Sequence, residues 1–325
     1  MARPQAVVSF AAATLALAAT ALTAQLPREG YVVTSDSARL FYKIAGRPGP
    51  GIDTLIAIHG GPGLDLESIY NDFSAGLAAK HVVIFYDQRG GGKSELPADT
   101  MRLVAARQVQ DLDEIRRHFG LERVTLVAHS YGPLLAASYA IAHPSAVKKM
   151  VFFGPVPPRR GDFFTRYGRN INARLDSAQR TSMARSSRAM TSPTSTLEQV
   201  RQACREYWSL GMRPRLAEPD RGLTLVKSDL CATDPTGIRY GNRLANRVIM
   251  GSYGDWDLRA ALATLDVPLL VVHGEQETIP MDLVEEWTTS MPHALLIKVP
   301  NAAHFTYAEQ SALVWPEVER FLAAP

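Results

Sequence analysis

Short runs that are apolar almost throughout alternate along this chain with stretches whose apolar positions return every three or four residues. The runs are TLIAIH (54–59), HVVIFYD (81–87), VTLVAH (124–129), VKKMVFF (147–153), PLLVVHG (268–274) and ALLIKVP (294–300). A strand apolar on both faces is one buried on both faces, which predicts parallel strands covered by helices. Residues 66–80, 101–119, 132–143 and 281–290 carry the helical spacing. Alternation in this order predicts right-handed crossovers between parallel strands. Ahead of the first run, YVVTSDSARLFYKIAG alternates apolar and polar residues about a Ser-Asp-Ser turn, the pattern of a hairpin. The expected class is α/β, with a mostly parallel central sheet flanked by helices.

The rhythm breaks between residues 155 and 255. No strong strand pattern appears there, and helical patches alternate with Pro and Gly. A hundred residues is too long for a plain loop. The expectation is an inserted helical cap over the C-terminal edge of the sheet, where such folds bind ligands. The core is then 25–154 plus 256–325, with the Ser/Thr/Arg-rich stretch Gln179–Thr196 read as solvated helix ends and loop.

Composition alters this picture in three places. The 325 residues are 46% hydrophobic, enough for one large core, and a net charge of +3 does not indicate a nucleic-acid partner. Residues 155–230 nevertheless hold thirteen Arg and one Lys against seven acids. A solvated surface accounts for that balance; the sharper reading is a positive funnel for an anionic substrate. The first 24 residues, MARPQAVVSFAAATLALAATALTA, pair a basic start with an Ala-rich run and small residues at its end. They predict a secretory signal peptide cleaved near Ala24, export to the periplasm or beyond, and no stable membrane span after cleavage. An uncleaved anchor is the alternative. In an oxidising compartment Cys204 and Cys231 are expected to form a disulfide inside the cap. Two cysteines without a nearby histidine make no metal site.

LVAHSYGPLLAASYA (126–140) sets Ser130 between a buried strand and a helix. A serine hydroxyl is a weak nucleophile until a base takes its proton and donors hold the oxyanion. A sharp strand-to-helix turn serves both needs, and it demands small residues two before and two after the serine. Here these are Ala128 and Gly132, with Pro133 early in the helix. HGGPG (59–63) follows the first parallel strand, where glycines free backbone N–H groups to complete an oxyanion hole. DQRGGGKS (87–94) lacks the spacing of a phosphate-binding loop. The acid and base should follow the serine in that order. HGEQETIP (273–280) offers Glu275 and Glu277, Asp162 is a reserve, and His304 lies in a small-residue loop after the last strand. His59, His129 and His273 sit at strand ends, where they are expected to shape the backbone.

HGGPG, DQRGGGKS, HSYG with LLAASYAIAHP, HGEQETIP and NAAHF occur in the order of the α/β-hydrolases, and the chain resembles their proline-iminopeptidase-like group over about 31–154 and 256–324. The resemblance implies Ser130 as nucleophile, His304 as base and Glu277 as acid, with Gly61 and Tyr131 donating to the oxyanion. It implies no cofactor. Ala128 stands where the pattern has Gly, Pro133 where Gly is usual, and Glu277 where Asp is usual. The implied activity is release of an N-terminal residue from a short peptide through an acyl-enzyme. The alternatives are a small-molecule carboxylesterase or amidase, and a non-catalytic binding protein on the same scaffold. An aminopeptidase needs a carboxylate for the substrate's free amine. CREYWSLG (204–211) supplies Glu206 as the first choice, with Trp208 beside it. Phe163, Phe164, Tyr167, Tyr207 and Trp208 are scattered among the arginines of the insertion. Some of these arginines are expected to face solvent and others to line the entrance or stack on those rings. The pocket is expected to fit a small apolar acyl group or a prolyl ring.

Overall fold

The computed structural model describes residues 27–325; the expected leader, residues 1–24, lies outside them. Eight strands, β1 (Glu29–Val33), β2 (Arg39–Ala45), β3 (Thr54–Ile58), β4 (Val82–Tyr86), β5 (Val124–His129), β6 (Val147–Phe153), β7 (Leu269–Gly274) and β8 (Ala294–Val299), form one sheet. Their order is β1-β2-β4-β3-β5-β6-β7-β8. The hairpin β1–β2 is antiparallel and joins β4 antiparallel, while every other pairing is parallel.

The apolar runs become central strands because both faces are covered. Every residue of β4, β5 and β7 is buried. Alternate side chains leave the sheet on opposite sides. Ile56, Ile84, Leu126 and Phe152 pack on one face with Leu112 and Ile115 of α2 (Ala105–His118), Leu134 and Leu135 of α3 (Gly132–Ala142), and Trp287 of α11 (Met281–Ser290). Leu55, Phe85, Val127 and Val151 pack on the other face with Phe73 of α1 (Glu67–Leu77) and Val314 of the C-terminal helix Ser311–Ala323. Each such side chain contributes about 1.5–3 kcal/mol by leaving water. The run 294–300 departs from the expectation of two covered faces. As β8 it is the sheet edge, only partly covered, and Leu295 is 60% exposed.

Between β6 and β7 lie α4 (Phe163–Ala173), α5 (Ser177–Thr191), α6 (Leu197–Gly211), α7 (Pro219–Leu225), α8 (Pro235–Tyr240), α9 (Asn246–Ser252) and α10 (Arg259–Leu262). Helices α5 and α6 each open on a capping box, Asp176 with Gln179 and Thr196 with Gln199. The first of these corrects the reading of Gln179–Thr196 as helix ends and loop. The cap starts a continuous helix there, and Met183, Ser186 and Met190 give it a buried side. Met190, Val200, Ala203 and Ile238 form a small core around Cys204 and Cys231, which are joined by a disulfide across 6.0 Å between Cα atoms. Closing a loop of 27 residues contributes about 3 kcal/mol by restricting the unfolded chain. Among the described residues no helix is long and apolar enough to cross a membrane.

Candidate active site

Ser130 leaves β5 with φ +62°, a left-handed conformation uncommon for a residue with a side chain. Neighbouring chain holds it there: its N–H donates to the Phe153 carbonyl and its own carbonyl accepts from Val156, both at 2.9 Å. The crowding explains the small residues. A β-carbon on Gly132 would lie 2.6 Å from the Ile58 carbonyl oxygen, and one on Gly60 would lie 2.9 Å from the Ser130 β-carbon. Ala128 is fully buried in register with Ile58 and Phe152, so its methyl is accommodated. Pro133 occupies the first turn of α3, where a missing N–H costs nothing.

The loops after β7 and β8 bring two more side chains to this turn. Ser130 Oγ donates to His304 Nε2 at 3.1 Å, and His304 Nδ1 donates to Glu277 Oε2 at 2.6 Å. The other Glu277 oxygen accepts from the Thr278 N–H (2.6 Å), the Thr278 hydroxyl (2.9 Å) and the Ile279 N–H (3.1 Å). The Glu277 side chain is 1% exposed. Burial works against its ionisation, but the facing His304, with help from His273 and the Ile279 N–H, holds its carboxyl well below the usual range. β6 is followed by Gly154, at φ +49°, which lies against the hydrogen bond between His304 and Glu277. A β-carbon there would stand 3.1 Å from His304 Nδ1 and 3.4 Å from Glu277 Oε2. Glu275 is exposed and enters no hydrogen bond with His304. Asp162 lies at the start of α4, 63% exposed and facing Arg166. The reserve acids are therefore not part of this cluster.

Three other histidines hold backbone around it. His59 donates from Nδ1 to the Gly60 carbonyl (2.8 Å) and accepts at Nε2 from the Gln88 N–H (3.1 Å). That arrangement requires a neutral ring, and burial pushes its pKa down to about 4. His129 donates to the His304 carbonyl at 3.2 Å beneath the His304 ring, and burial with the neighbouring His304 lowers its pKa far below the ordinary value. His273 donates to the Ile279 carbonyl at 3.0 Å.

Above Ser130 and His304 lies a cavity of about 330 Å³. Gly60, Gly61 and Tyr131 are among the residues that line it. Among the described residues neither the Gly61 nor the Tyr131 N–H donates to a protein acceptor. Phe163, Phe164, Tyr167, Tyr207 and Trp208 all line the cavity from the insertion. Glu206 does not, which corrects the reading of it as a substrate-binding carboxylate. Successive helical residues turn by 100°, so Glu206 points roughly 200° away from Trp208. It accepts from Ser186 (3.2 Å) and Gln202 (3.0 Å) on the outer side of α5 and α6. The insertion reaches the HGGPG loop through α9, where the Asn246 amide donates to the Pro62 carbonyl at 3.0 Å. Gly63 and Gly241 meet backbone to backbone, and a β-carbon on Gly241 would lie 2.0 Å from the Gly63 oxygen. Sequence reading missed Gly154, Asn246 and Arg215 at this site. Only for Arg215 was there a faint signal, in the basic balance of the insertion.

A nucleophile-type turn at the C-terminal edge of a parallel sheet, next to a hydrogen-bonded His and carboxylate, marks a serine hydrolase. The chain belongs to the α/β-hydrolase family, whose model matches residues 53–311. It is 27% identical over 259 residues to a proline iminopeptidase from Heyndrickxia coagulans, covering 79% of this chain and 85% of that one. Among solved structures, it resembles a proline iminopeptidase from Mycobacterium smegmatis, with TM-score 0.64 at 20% identity over 90% of this chain and 97% of that one. It also resembles the carboxylesterase CesB from Bacillus subtilis, with TM-score 0.63 at 17% identity over 96% of each chain.

Proposed function

We propose that this protein hydrolyses small esters or amides through an acyl-enzyme on Ser130. The observation that carries the reading is the continuous hydrogen-bonded path from Ser130 Oγ through His304 to Glu277 at the floor of the cavity. Ser130 Oγ attacks the substrate carbonyl as its proton passes to His304 Nε2. The Gly61 and Tyr131 N–H groups hold the oxyanion. Ionised Glu277 keeps Nδ1 protonated and steadies the imidazolium. His304 then gives the proton to the leaving alcohol or amine, and the carbon–oxygen or carbon–nitrogen bond breaks. Water attacks the acyl-enzyme with its proton passing to His304, which returns it to Ser130 as the acid departs. Covalent labelling tests Ser130 as the nucleophile. A fluorophosphonate probe is expected to label wild-type chain and leave Ser130→Ala unlabelled. A folded wild-type chain that stays unlabelled supports a non-catalytic binding protein instead.

The relatives named proline iminopeptidase favour a second reading, release of an N-terminal residue. The aromatic walls suit a prolyl ring. The free α-amine, however, needs an acceptor, and no carboxylate lines the cavity among the described residues. Geometry therefore supports the esterase or amidase reading better. Turnover of Pro-p-nitroanilide well above both its N-acetylated form and p-nitrophenyl butyrate would reverse that preference. Export is also proposed, supported by the character of residues 1–24 and by a disulfide in the insertion; fractionation of expressing cells tests it.

A further inference from the structure

Among the described residues lining the cavity, Arg215 is the one side chain with a fixed charge. It ends a short 3₁₀ turn, Arg213–Arg215, that follows α6. Its backbone carbonyl accepts from the His304 N–H at 3.0 Å, so the guanidinium is carried by the backbone that also holds the base. Nε donates to the Tyr167 hydroxyl at 3.1 Å and Nη1 to the Gly211 carbonyl at 2.5 Å. The Tyr167 and Trp208 rings lie 5.8 and 5.5 Å from the guanidinium carbon, within cation–π range. A guanidinium has five N–H donors, and these two bonds leave three. Arg159, Arg166 and Arg213 of the insertion pair with Glu286, Asp282 and Asp220, while others without an ion pair among the described residues, such as Arg169, Arg185 and Arg205, are exposed to solvent. Arg215 enters no ion pair among the described residues. A guanidinium cannot shed its charge. Holding one unpaired among aromatic rings costs free energy that a bound anion offsets.

We propose that Arg215 is an anion-binding subsite and that the substrate class is a small ester or amide bearing a carboxylate. The free donors suit a carboxylate held by two parallel hydrogen bonds, and the basic balance of residues 155–230 draws the same charge toward the cavity. A cationic α-amine in this position would be repelled. The proposal rests on the acyl-enzyme reading above and narrows it.

Two matched pairs of substrates test it. The first is p-nitrophenyl hemiglutarate against its methyl ester, with the charge in the acyl part. The second is the butyrate ester of 4-hydroxybenzoate against that of methyl 4-hydroxybenzoate, with the charge in the leaving part. Enzyme-free rates are subtracted, because the hemiglutarate carboxylate attacks its own ester. In one pair the anion is expected to be preferred by roughly 10- to 100-fold in kcat/KM, the range for a hydrogen-bonded charge. That pair identifies which part of the substrate lies against Arg215. Arg215→Gln should bring the ratio close to one, and Arg215→Lys should keep part of it. The ratio is taken within one preparation, so general loss of activity divides out. A wild-type ratio of one or below in both pairs overturns the proposal even if the variants fail to fold, while neutral-ester turnover keeps the acyl-enzyme reading intact. No turnover in either pair, with Ser130 unlabelled by fluorophosphonate, removes that reading and the proposal with it.

Discussion

Gly154 stands against His304 so closely that a β-carbon would lie 3.1 Å from Nδ1, beside the hydrogen bond to Glu277. Its φ of +49° also favours glycine. Gly154→Ala is therefore expected to push the imidazole off its line between Ser130 and Glu277. A shift of a fraction of an ångström at a reacting group lowers turnover by about 10- to 100-fold. Steady-state kinetics on p-nitrophenyl butyrate should show the loss in kcat with KM nearly unchanged and the cooperative melt preserved. Wild-type kcat in the variant would mean that the ring has slack the geometry does not suggest.

Glu277→Gln places an amide where Nδ1 of His304 donates, and an amide nitrogen cannot accept that proton. The ring is then driven toward the tautomer that cannot take a proton from Ser130. The expected fall in kcat is about 10²–10⁴. Glu277→Asp keeps the charge but withdraws it by one methylene, so its loss should be smaller. Glu275→Gln should change little, because Glu275 is exposed and has no part in the bond to His304. Loss of activity in Glu275→Gln alone would shift the acid by two residues.

His59 ties stability to acid. In the fold it is neutral down to about pH 4, against an ordinary value of 6.5, because complete burial disfavours the charged ring, and its neutral form accepts from the Gln88 N–H. The unfolded chain binds a proton below pH 6.5 and the folded chain does not. The stability from this group is thus fully present above 6.5 and is withdrawn as pH falls toward 4, by about 3 kcal/mol in all. His59→Gln should be less stable than wild type near neutrality, with the gap closing as pH drops. Urea midpoints measured from about pH 7.5 to about pH 4.5 would contradict this if the two profiles ran parallel.

The sheet was legible because burial on two faces writes itself as unbroken apolar runs, and β4, β5 and β7 are buried end to end. The meeting of Ser130 with His304 was legible because small residues and loop positions mark both stretches of sequence. Glu206 misled because proximity to Trp208 in sequence was read without helical phase, which turns the two apart. Arg215 is one of thirteen arginines in its stretch, and nothing local separates it from those paired at the surface. Gly154 could not be read at all: its neighbours Glu277 and His304 arrive from loops far along the chain.

The meeting of Gly63 and Gly241 bears on how freely the insertion can be exchanged. Each lacks a side chain because the other's backbone occupies the place, with a β-carbon on Gly63 falling 2.8 Å from the Gly241 oxygen. A loop of the sheet and a turn of the insertion are thus keyed to one another, next to the backbone N–H of Gly61. Transplanting another helical insertion onto this core would carry an entry condition unrelated to the substrate it was chosen for: a bare backbone opposite position 63. Without one, the graft would displace the HGGPG loop, and the chimera would fold around a distorted reaction centre. Specificity in this scaffold is modular only among insertions that share that key.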